Sequence, residues 1–186
     1  MRKYIPNALT FLRLIIVPFL GYSIYCEKYT IAIILFAFGG FTDVLDGYIA
    51  RKYNLITKWG KFFDPLADKL MQITALVFLV LHKFIPLVVL IIVLIKESLM
   101  LVGGIMVYKK GRTVIGANWY GKLATVIFYF AILTTIILKI VAGDSGYASN
   151  AIYVAIGLAV ACTLFALTMY IIIYFRFSKD YNEKTN

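Results

Sequence analysis

Two short acidic runs, separated by a polar connection, decide how this chain folds and where its chemistry lies. They read Asp43-Val44-Leu45-Asp46-Gly47-Tyr48-Ile49-Ala50-Arg51 and, after eight residues, Gly60-Lys61-Phe62-Phe63-Asp64-Pro65-Leu66-Ala67-Asp68. Asp43 and Asp46 are three residues apart, and Asp64 and Asp68 are four apart, so each pair lies on one face of a helix. Because the connection is short, we expect the two helices to be antiparallel neighbours whose four carboxylates converge on one point.

Four carboxylates in one partly desolvated place repel one another, and a bound cation removes this conflict. No histidine or cysteine lies near them in the sequence, so the ligands are oxygen atoms and favour a hard ion, Mg²⁺ or Mn²⁺. Two ions would suit a displacement at phosphorus, because one clamps the phosphates and both stabilise developing charge. We therefore predict a divalent-metal centre with the ligands Asp43, Asp46, Asp64 and Asp68.

The rest of the chain has the composition of a membrane protein. Of its 186 residues, 62% are hydrophobic and 15% are charged, which argues against an ordinary soluble domain and against disorder. Six apolar segments each come close to the ~20 residues that a helix needs to cross a bilayer. We expect an all-α integral membrane protein of one domain, residues 1–186, with six transmembrane helices around a cytoplasm-facing polar cavity. The segments are roughly Leu9–Tyr25, Thr30–Ala50, Phe62–Leu81, Phe84–Tyr108, Trp119–Ile140 and Ala148–Phe175.

The basic residues predict the orientation of these segments. The net charge is +10, and thirteen Lys and Arg residues fall on the side that holds both termini, against three on the opposite side. This asymmetry predicts that both termini lie in the cytoplasm. The four carboxylates lie near the same face of the membrane, where the basic connections suit anionic lipid headgroups.

Three further groups of residues are candidates for the polar cavity. Asn7, Thr10 and Arg13 share one helix face, and Arg13 lies in an apolar segment, where an unpaired charge is costly. Lys96 and Glu97 lie in the middle of the fourth segment, where they form either a structural ion pair or part of the cavity wall. A group of basic residues between the fourth and fifth segments either binds the phosphate of a substrate or contacts lipid headgroups. It comprises Lys109, Lys110, Arg112 and Lys122.

The pattern D-x2-D-G-x2-A-R-x8-G-x3-D-x3-D, which spans Asp43 to Asp68, resembles the signature of the CDP-alcohol phosphatidyltransferases at all eight fixed positions. The resemblance implies an enzyme that transfers a substituted phosphate from a CDP-linked donor to an alcohol and releases CMP. It also implies that the first three acids bind metal, that Asp68 binds metal and acts as the base, and that the enzyme is often a homodimer.

The same resemblance directs attention to the substrates. The acceptor hydroxyl must lose a proton, and His82, the only histidine, is expected at the far end of the third helix, so a carboxylate has to take that proton. The donor would be CDP-diacylglycerol, with its cytidine diphosphate beside small residues and the first helix. The candidate residues for donor binding are Gly47, Ala50, Arg51, Gly60, Asn7 and Thr10.

Two acceptors fit the sequence. The basic group at Lys109, Arg112 and Lys122, together with Arg13, favours glycerol 3-phosphate, and Gly121-Lys122 resembles a pair found in phosphatidylglycerophosphate synthases. In bacterial members of that subfamily an arginine stands where this chain has Gly104. The run from Ile5 to Gly21 and the fourth helix also resemble CMP-forming cardiolipin synthases, whose acceptor is phosphatidylglycerol. We predict glycerol 3-phosphate and keep phosphatidylglycerol as the alternative; both reactions belong to phospholipid biosynthesis.

A protein of another class, a cation transporter or channel, would use the same acids as an ion path. Such a protein often carries acids on several helices at the bilayer midplane and a repeated half. Here the acids cluster near one membrane face, and the sequence contains no internal repeat. The pattern therefore favours the enzyme.

Overall fold

The computed structural model describes residues 5–53, 58–109, 119–143 and 145–185. These residues form six α-helices, which confirms the prediction of an all-α protein. The helices are α1 (Ile5–Tyr25), α2 (Tyr29–Lys52), α3 (Lys58–Leu81), α4 (Leu87–Lys109), α5 (Trp119–Ala142) and α6 (Gly146–Thr185).

Four stretches are long and apolar enough to cross a membrane, as judged by their length and composition within the described residues. Large apolar side chains on these helices point outward; Val141 and Val154 are 78% and 72% exposed. Such a surface suits contact with lipid, since soluble proteins rarely expose large contiguous apolar patches. The chain is thus a multi-pass membrane protein in character, and the crossing of the bilayer by α3 and α4 stays a prediction. The four stretches are Ala8–Tyr25, Tyr29–Ile49, Gly121–Ala142 and Gly146–Ile172.

The helices continue beyond the apolar segments at their polar ends. The helix α1 begins at Ile5 and α3 begins at Lys58, each four residues before the apolar segment predicted for it. The helix α6 has 40 residues, a length of about 60 Å at 1.5 Å per residue. Helical hydrogen bonds are local, so a helix can extend past the part whose side chains suit hydrocarbon.

The central feature of the packing is the position of α1, which packs extensively against both α2 and α3. The helices α2 and α3 touch each other much less, so the predicted neighbours are largely separated by α1. Leu20 and Ile24 of α1, Phe36 of α2 and Met71 of α3 are fully buried between these helices. On the other side of the bundle, α5 packs along α6 and also contacts α2, which brings α5 close to the acidic end of α2.

Three tight connections join the helices at one end of the bundle, and each contains a residue in the left-handed region. Glu27 (φ 57°), Lys83 (φ 59°) and Gly143 (φ 55°) follow the ends of α1, α3 and α5. After Glu27, the amide of Lys28 donates to the carbonyl of Ser23 at 2.8 Å, which closes the end of α1. The acidic residues lie toward the opposite end of the bundle, where α2 ends and α3 begins.

Candidate functional site

The four motif carboxylates come from two helices, at the end of the bundle where α2 ends and α3 begins. Asp43 and Asp46 lie in the second half of α2, and Asp64 and Asp68 lie in the first half of α3. Asp46 interacts electrostatically with Asp43 and Asp64, and Asp68 interacts with Asp43. The structure therefore brings these acids within electrostatic range of one another, with α1 between the two helices, and their convergence on one metal centre stays a prediction.

Arg13 of α1 lies at the centre of this cluster. Its Nη1 donates to Oδ1 of Asp43 at 2.9 Å, and its Nη2 donates to Oδ2 of Asp46 at 2.7 Å. The Arg13 side chain is fully buried, Asp46 is 3% exposed, and Asp43 is 43% exposed. The guanidinium thus holds two carboxylates at once through charge-assisted hydrogen bonds, which are stronger than neutral ones.

Thr10 connects the same helix to the second acidic pair. Its hydroxyl donates a hydrogen bond to Oδ1 of Asp64, and the residue is buried. Thr10 and Arg13 are three residues apart and face the same way, as the sequence predicted. Since α1 packs against both α2 and α3, it can present Arg13 to the acids of α2 and Thr10 to an acid of α3.

Tyr129 of α5 is a member of the site that sequence analysis missed. Its ring stacks on Phe36 of α2, with centroids 4.2 Å apart and planes inclined by 18°. A Cβ on Gly40 would approach Cε1 of Tyr129 to 2.8 Å, so a glycine allows this close contact. The hydroxyl is buried without a hydrogen-bond partner among the described residues, and it interacts electrostatically with Asp68, Asp43 and Arg13.

No pattern in the sequence distinguishes Tyr129 from the other aromatic residues of the apolar helices. A buried tyrosine normally places its hydroxyl against a partner. An unpartnered hydroxyl beside charged groups is therefore unusual, and it marks a position where a bound molecule could accept its hydrogen bond.

A second polar cluster adjoins the first. Glu97 Oε1 accepts from Lys96 Nζ at 2.6 Å and from Lys69 Nζ at 2.8 Å, so the interpretation of Lys96 and Glu97 as an ion pair agrees with the structure. Lys69, which the sequence analysis did not single out, directly follows Asp68 and interacts with it electrostatically. Gln72 is 4% exposed, and its Oε1 has no partner among the described residues; together with Lys96 and Glu97 it lines a narrow pocket between α3, α4, α5 and α6.

The remaining predicted residues are distributed as follows. Gly47 lies one residue after Asp46 and is partly buried, and Lys122 is exposed in the first turns of α5. His82 follows the end of α3, with its ring 5.6 Å from that of Phe84, at the opposite end of α3 from Asp64, as predicted. For five further candidates the structure describes only the backbone, which lies in a helix: Asn7, Ala50, Arg51, Gly60 and Lys109. Two basic candidates lie outside the described residues: Lys110 and Arg112.

Within the described part of the chain, no three acidic, histidine or cysteine side chains stand close enough together to share a metal ion. Arg13 and Thr10 hydrogen-bond to oxygen atoms of Asp43, Asp46 and Asp64. The donor set nevertheless fits a hard divalent cation: it consists only of carboxylate oxygens.

A model of the CDP-alcohol phosphatidyltransferase family matches residues 3–174. A CDP-diacylglycerol–glycerol-3-phosphate 3-phosphatidyltransferase from Haemophilus influenzae is 35% identical over 138 residues, which cover 67% of this chain and 71% of that protein. A protein of the same name from Aquifex aeolicus is 33% identical over 139 residues, 73% of this chain and 77% of that protein.

A relative of a different name matches a shorter stretch. A probable cardiolipin synthase (CMP-forming) from Drosophila melanogaster is 36% identical over 104 residues, which cover 55% of this chain. The match spans only 32% of the length of that protein.

Proposed function

The chain belongs to the CDP-alcohol phosphatidyltransferase family, and we propose that it transfers a phosphatidyl group from CDP-diacylglycerol to glycerol 3-phosphate, yielding phosphatidylglycerophosphate and CMP. The observation that carries this proposal is the convergence of the motif acids of α2 and α3 around Thr10 and Arg13 of α1. The names of the Haemophilus and Aquifex relatives support the choice of donor and acceptor.

The proposed metal ligands are Asp43, Asp46, Asp64 and Asp68. Their carboxylates are the oxygen donors that Mg²⁺ and Mn²⁺ prefer, and the positive groups beside these four acids among the described residues are Arg13 and Lys69, fewer than the acids they face. Divalent cations bound there would neutralise the diphosphate of the donor and the charge that develops during transfer. We propose two ions, as the two pairs of acids suggest.

The proposed reaction is an exchange at one phosphorus atom. The oxygen of the acceptor hydroxyl forms a bond to the phosphorus that carries diacylglycerol. The bond from this phosphorus to the CMP oxygen breaks, and CMP leaves with the electron pair. Asp68 takes the proton of the acceptor hydroxyl, because it lies one turn deeper in α3 than Asp64 and because His82 lies at the opposite end of the helix.

The other substrate contacts are proposed from the positions of the residues in the fold. The cytidine diphosphate would lie beside Gly47, Ala50, Arg51 and Gly60, at the facing ends of α2 and α3. Asn7 and Thr10 would border it from α1. For the acceptor phosphate we propose the basic residues at the same end of the bundle, of which Lys122 is exposed and accessible; Lys109 and Arg112 complete this set. Arg13, which the sequence had grouped with them, has both terminal nitrogens on carboxylates, and we place it with the acids.

The proposed setting is a membrane with six crossings, both termini in the cytoplasm and a polar cavity open to the cytoplasm. The four candidate spans and the excess of basic residues on one side support this arrangement. A homodimer is proposed on the basis of the family resemblance.

A second acceptor is supported by a separate observation. The Drosophila relative is named a probable cardiolipin synthase (CMP-forming), and this name keeps phosphatidylglycerol as the alternative acceptor. The two candidates differ in a way that product analysis resolves, since one acceptor is a small phosphorylated alcohol and the other is a lipid.

The test is the release of CMP from CDP-diacylglycerol by the protein in detergent with Mg²⁺, using glycerol 3-phosphate, phosphatidylglycerol, inositol phosphate and serine as separate acceptors. The proposal expects release that depends on glycerol 3-phosphate and on Mg²⁺ and that Asp68→Asn abolishes. Release with phosphatidylglycerol alone would assign the alternative acceptor. Ion flux in liposomes without any CMP release would instead identify the transporter or channel.

A further inference from the structure

Arg13 is unusual because a fully buried guanidinium uses both terminal nitrogens on two acids of the same helix. The Nη1–Asp43 and Nη2–Asp46 distances are 2.9 and 2.7 Å. The remaining nitrogen, Nε, is buried and has no hydrogen-bond partner among the described residues. The Cγ of Arg13 lies 3.9 Å from the position of a Cβ on Gly39, so the side chain runs close along the backbone of α2. An arginine held in this way has little freedom to reach a substrate.

The charges around Arg13 explain why it is buried there. Asp46 is almost completely buried and interacts with Asp43 and Asp64, so an unpaired carboxylate at this position would be costly. Arg13 supplies one positive charge that is covalently part of the protein. Any divalent cation at the same acids must come close to this positive charge, and like charges repel.

We infer that Arg13 is a positioning residue that serves as a built-in counter-cation for Asp43 and Asp46, stabilising the metal-free protein and weakening divalent-cation binding by competing for these carboxylates. The inference rests on the proposed metal centre. It predicts that the fold does not require a divalent ion while Arg13 is present. It also predicts that loss of the arginine charge transfers this stabilising role to the ion.

The experiment uses the full chain purified in detergent and Mn²⁺ alone as the probe. Mn²⁺ binding is followed by electron paramagnetic resonance, and thermal unfolding is followed in EDTA and in Mn²⁺. For Arg13→Gln we expect Mn²⁺ to bind about tenfold more tightly, since a nearby positive charge has been removed. We also expect a lower Tm in EDTA than in the unmodified protein, and a larger gain in Tm on adding Mn²⁺.

One further variant separates the charge of Arg13 from its shape, and a second is a control. Arg13→Lys keeps the charge without the planar fork, so its Mn²⁺ affinity should stay near that of the unmodified protein. Lys28→Gln removes an exposed charge at the opposite end of α1 and should change neither measurement. If Arg13→Gln alone does not accumulate, the double variant Arg13→Gln/Asp46→Asn should accumulate, because the uncompensated buried carboxylate is gone.

The results that overturn the inference are distinct from those that overturn the proposed function. Mn²⁺ binding that is unchanged or weaker in Arg13→Gln, while the unmodified protein binds Mn²⁺, refutes the counter-cation role alone. An increased KM of Arg13→Gln for glycerol 3-phosphate, with unchanged Mn²⁺ affinity, would also refute the counter-cation role. It would assign Arg13 to the acceptor site instead. Absence of Mn²⁺ binding by both the unmodified protein and Arg13→Gln refutes the metal centre and this inference with it. Failure of both Arg13→Gln and its Asp46→Asn double variant to accumulate also refutes the charge-balance explanation.

Discussion

The phenol ring of Tyr129 stacks on the ring of Phe36, with centroids 4.2 Å apart, and this contact holds the Tyr129 hydroxyl beside the acidic cluster. The hydroxyl is buried and unpartnered among the described residues, although Asp68 and Asp43 lie within electrostatic range. A polar group kept in such a place destabilises the substrate-free protein. We therefore expect a molecule that enters the site to accept its hydrogen bond.

The first prediction concerns Tyr129→Phe, which removes only the hydroxyl. The substrate-free protein should become more stable by about 1 kcal/mol, because an unsatisfied buried group is lost. CMP release should fall about tenfold, equivalent to ~1.4 kcal/mol of transition-state stabilisation. Thermal unfolding and the CMP assay measure the two effects. Tyr153→Phe, at an exposed position of α6, is the matched control, and equal behaviour of the two variants would deny Tyr129 a role in the reaction.

The second prediction concerns the proposed metal ligands. Asp43→Asn, Asp46→Asn and Asp64→Asn each remove one negative charge while keeping a side chain of similar size. Each should lower metal-dependent CMP release by at least about a hundredfold, or ~2.7 kcal/mol, while the protein still inserts into the membrane and folds. Activity and Mn²⁺ binding are measured on the same samples. Retained activity in any one of the three would remove that residue from the metal centre.

The third prediction concerns the charge balance of the second polar cluster. Glu97 is the common partner of Lys69 and Lys96, so Glu97→Gln removes the counter-ion that the two ammonium groups share and leaves Lys69 only its weaker interaction with Asp68. We expect a loss of stability of about 2–3 kcal/mol, at the low end for a broken buried ion pair because Lys69 is 26% exposed. Thermal unfolding measures the loss. Glu27→Gln, in an exposed turn, is the control and should leave the Tm unchanged; a Tm for Glu97→Gln equal to that of the control would contradict the prediction.

The fourth prediction concerns the acceptor. Lys122→Ala should raise the KM for glycerol 3-phosphate about tenfold, since a charge-assisted contact to phosphate is lost, and should leave the KM for CDP-diacylglycerol unchanged. Arg112→Ala should behave in the same way. Initial rates at varied acceptor and donor concentrations give both constants, with Lys28→Ala as a control at the other end of the bundle. If neither variant changes the KM, the acceptor carries no phosphate at that place or is a lipid.

The fold was largely predictable because apolar segments of bilayer length are an unambiguous signal. These apolar segments predicted the order of the helices and the approximate extent of each helix. They did not predict the helix ends, since α3 starts at Lys58 and α6 continues to Thr185 through polar sequence. The insertion of α1 between α2 and α3 was also unpredicted, because apolar surfaces that face lipid and apolar surfaces that face other helices have the same composition.

The site was predictable to the extent that its residues are charged and regularly spaced. The carboxylates and the shared face of Thr10 and Arg13 could be predicted in this way. Tyr129 and Lys69 could not, since their importance depends on how α5 and α4 pack near the acids. A tyrosine in an apolar helix and a lysine after an aspartate become informative only when their neighbours are known.

The burial of Arg13 has a consequence for the way the protein is made. Its partners Asp43 and Asp46 follow 30 and 33 residues later in the chain, so α1 leaves the ribosome before its charge can be neutralised. An arginine in a membrane helix carries an insertion cost that reaches ~2.5–3.5 kcal/mol at the helix centre and is smaller for Arg13, which lies in the first third of the Ala8–Tyr25 span; α2 supplies the compensation. The first two helices are therefore expected to enter the bilayer as a pair, so that the centre of the site is assembled during biosynthesis.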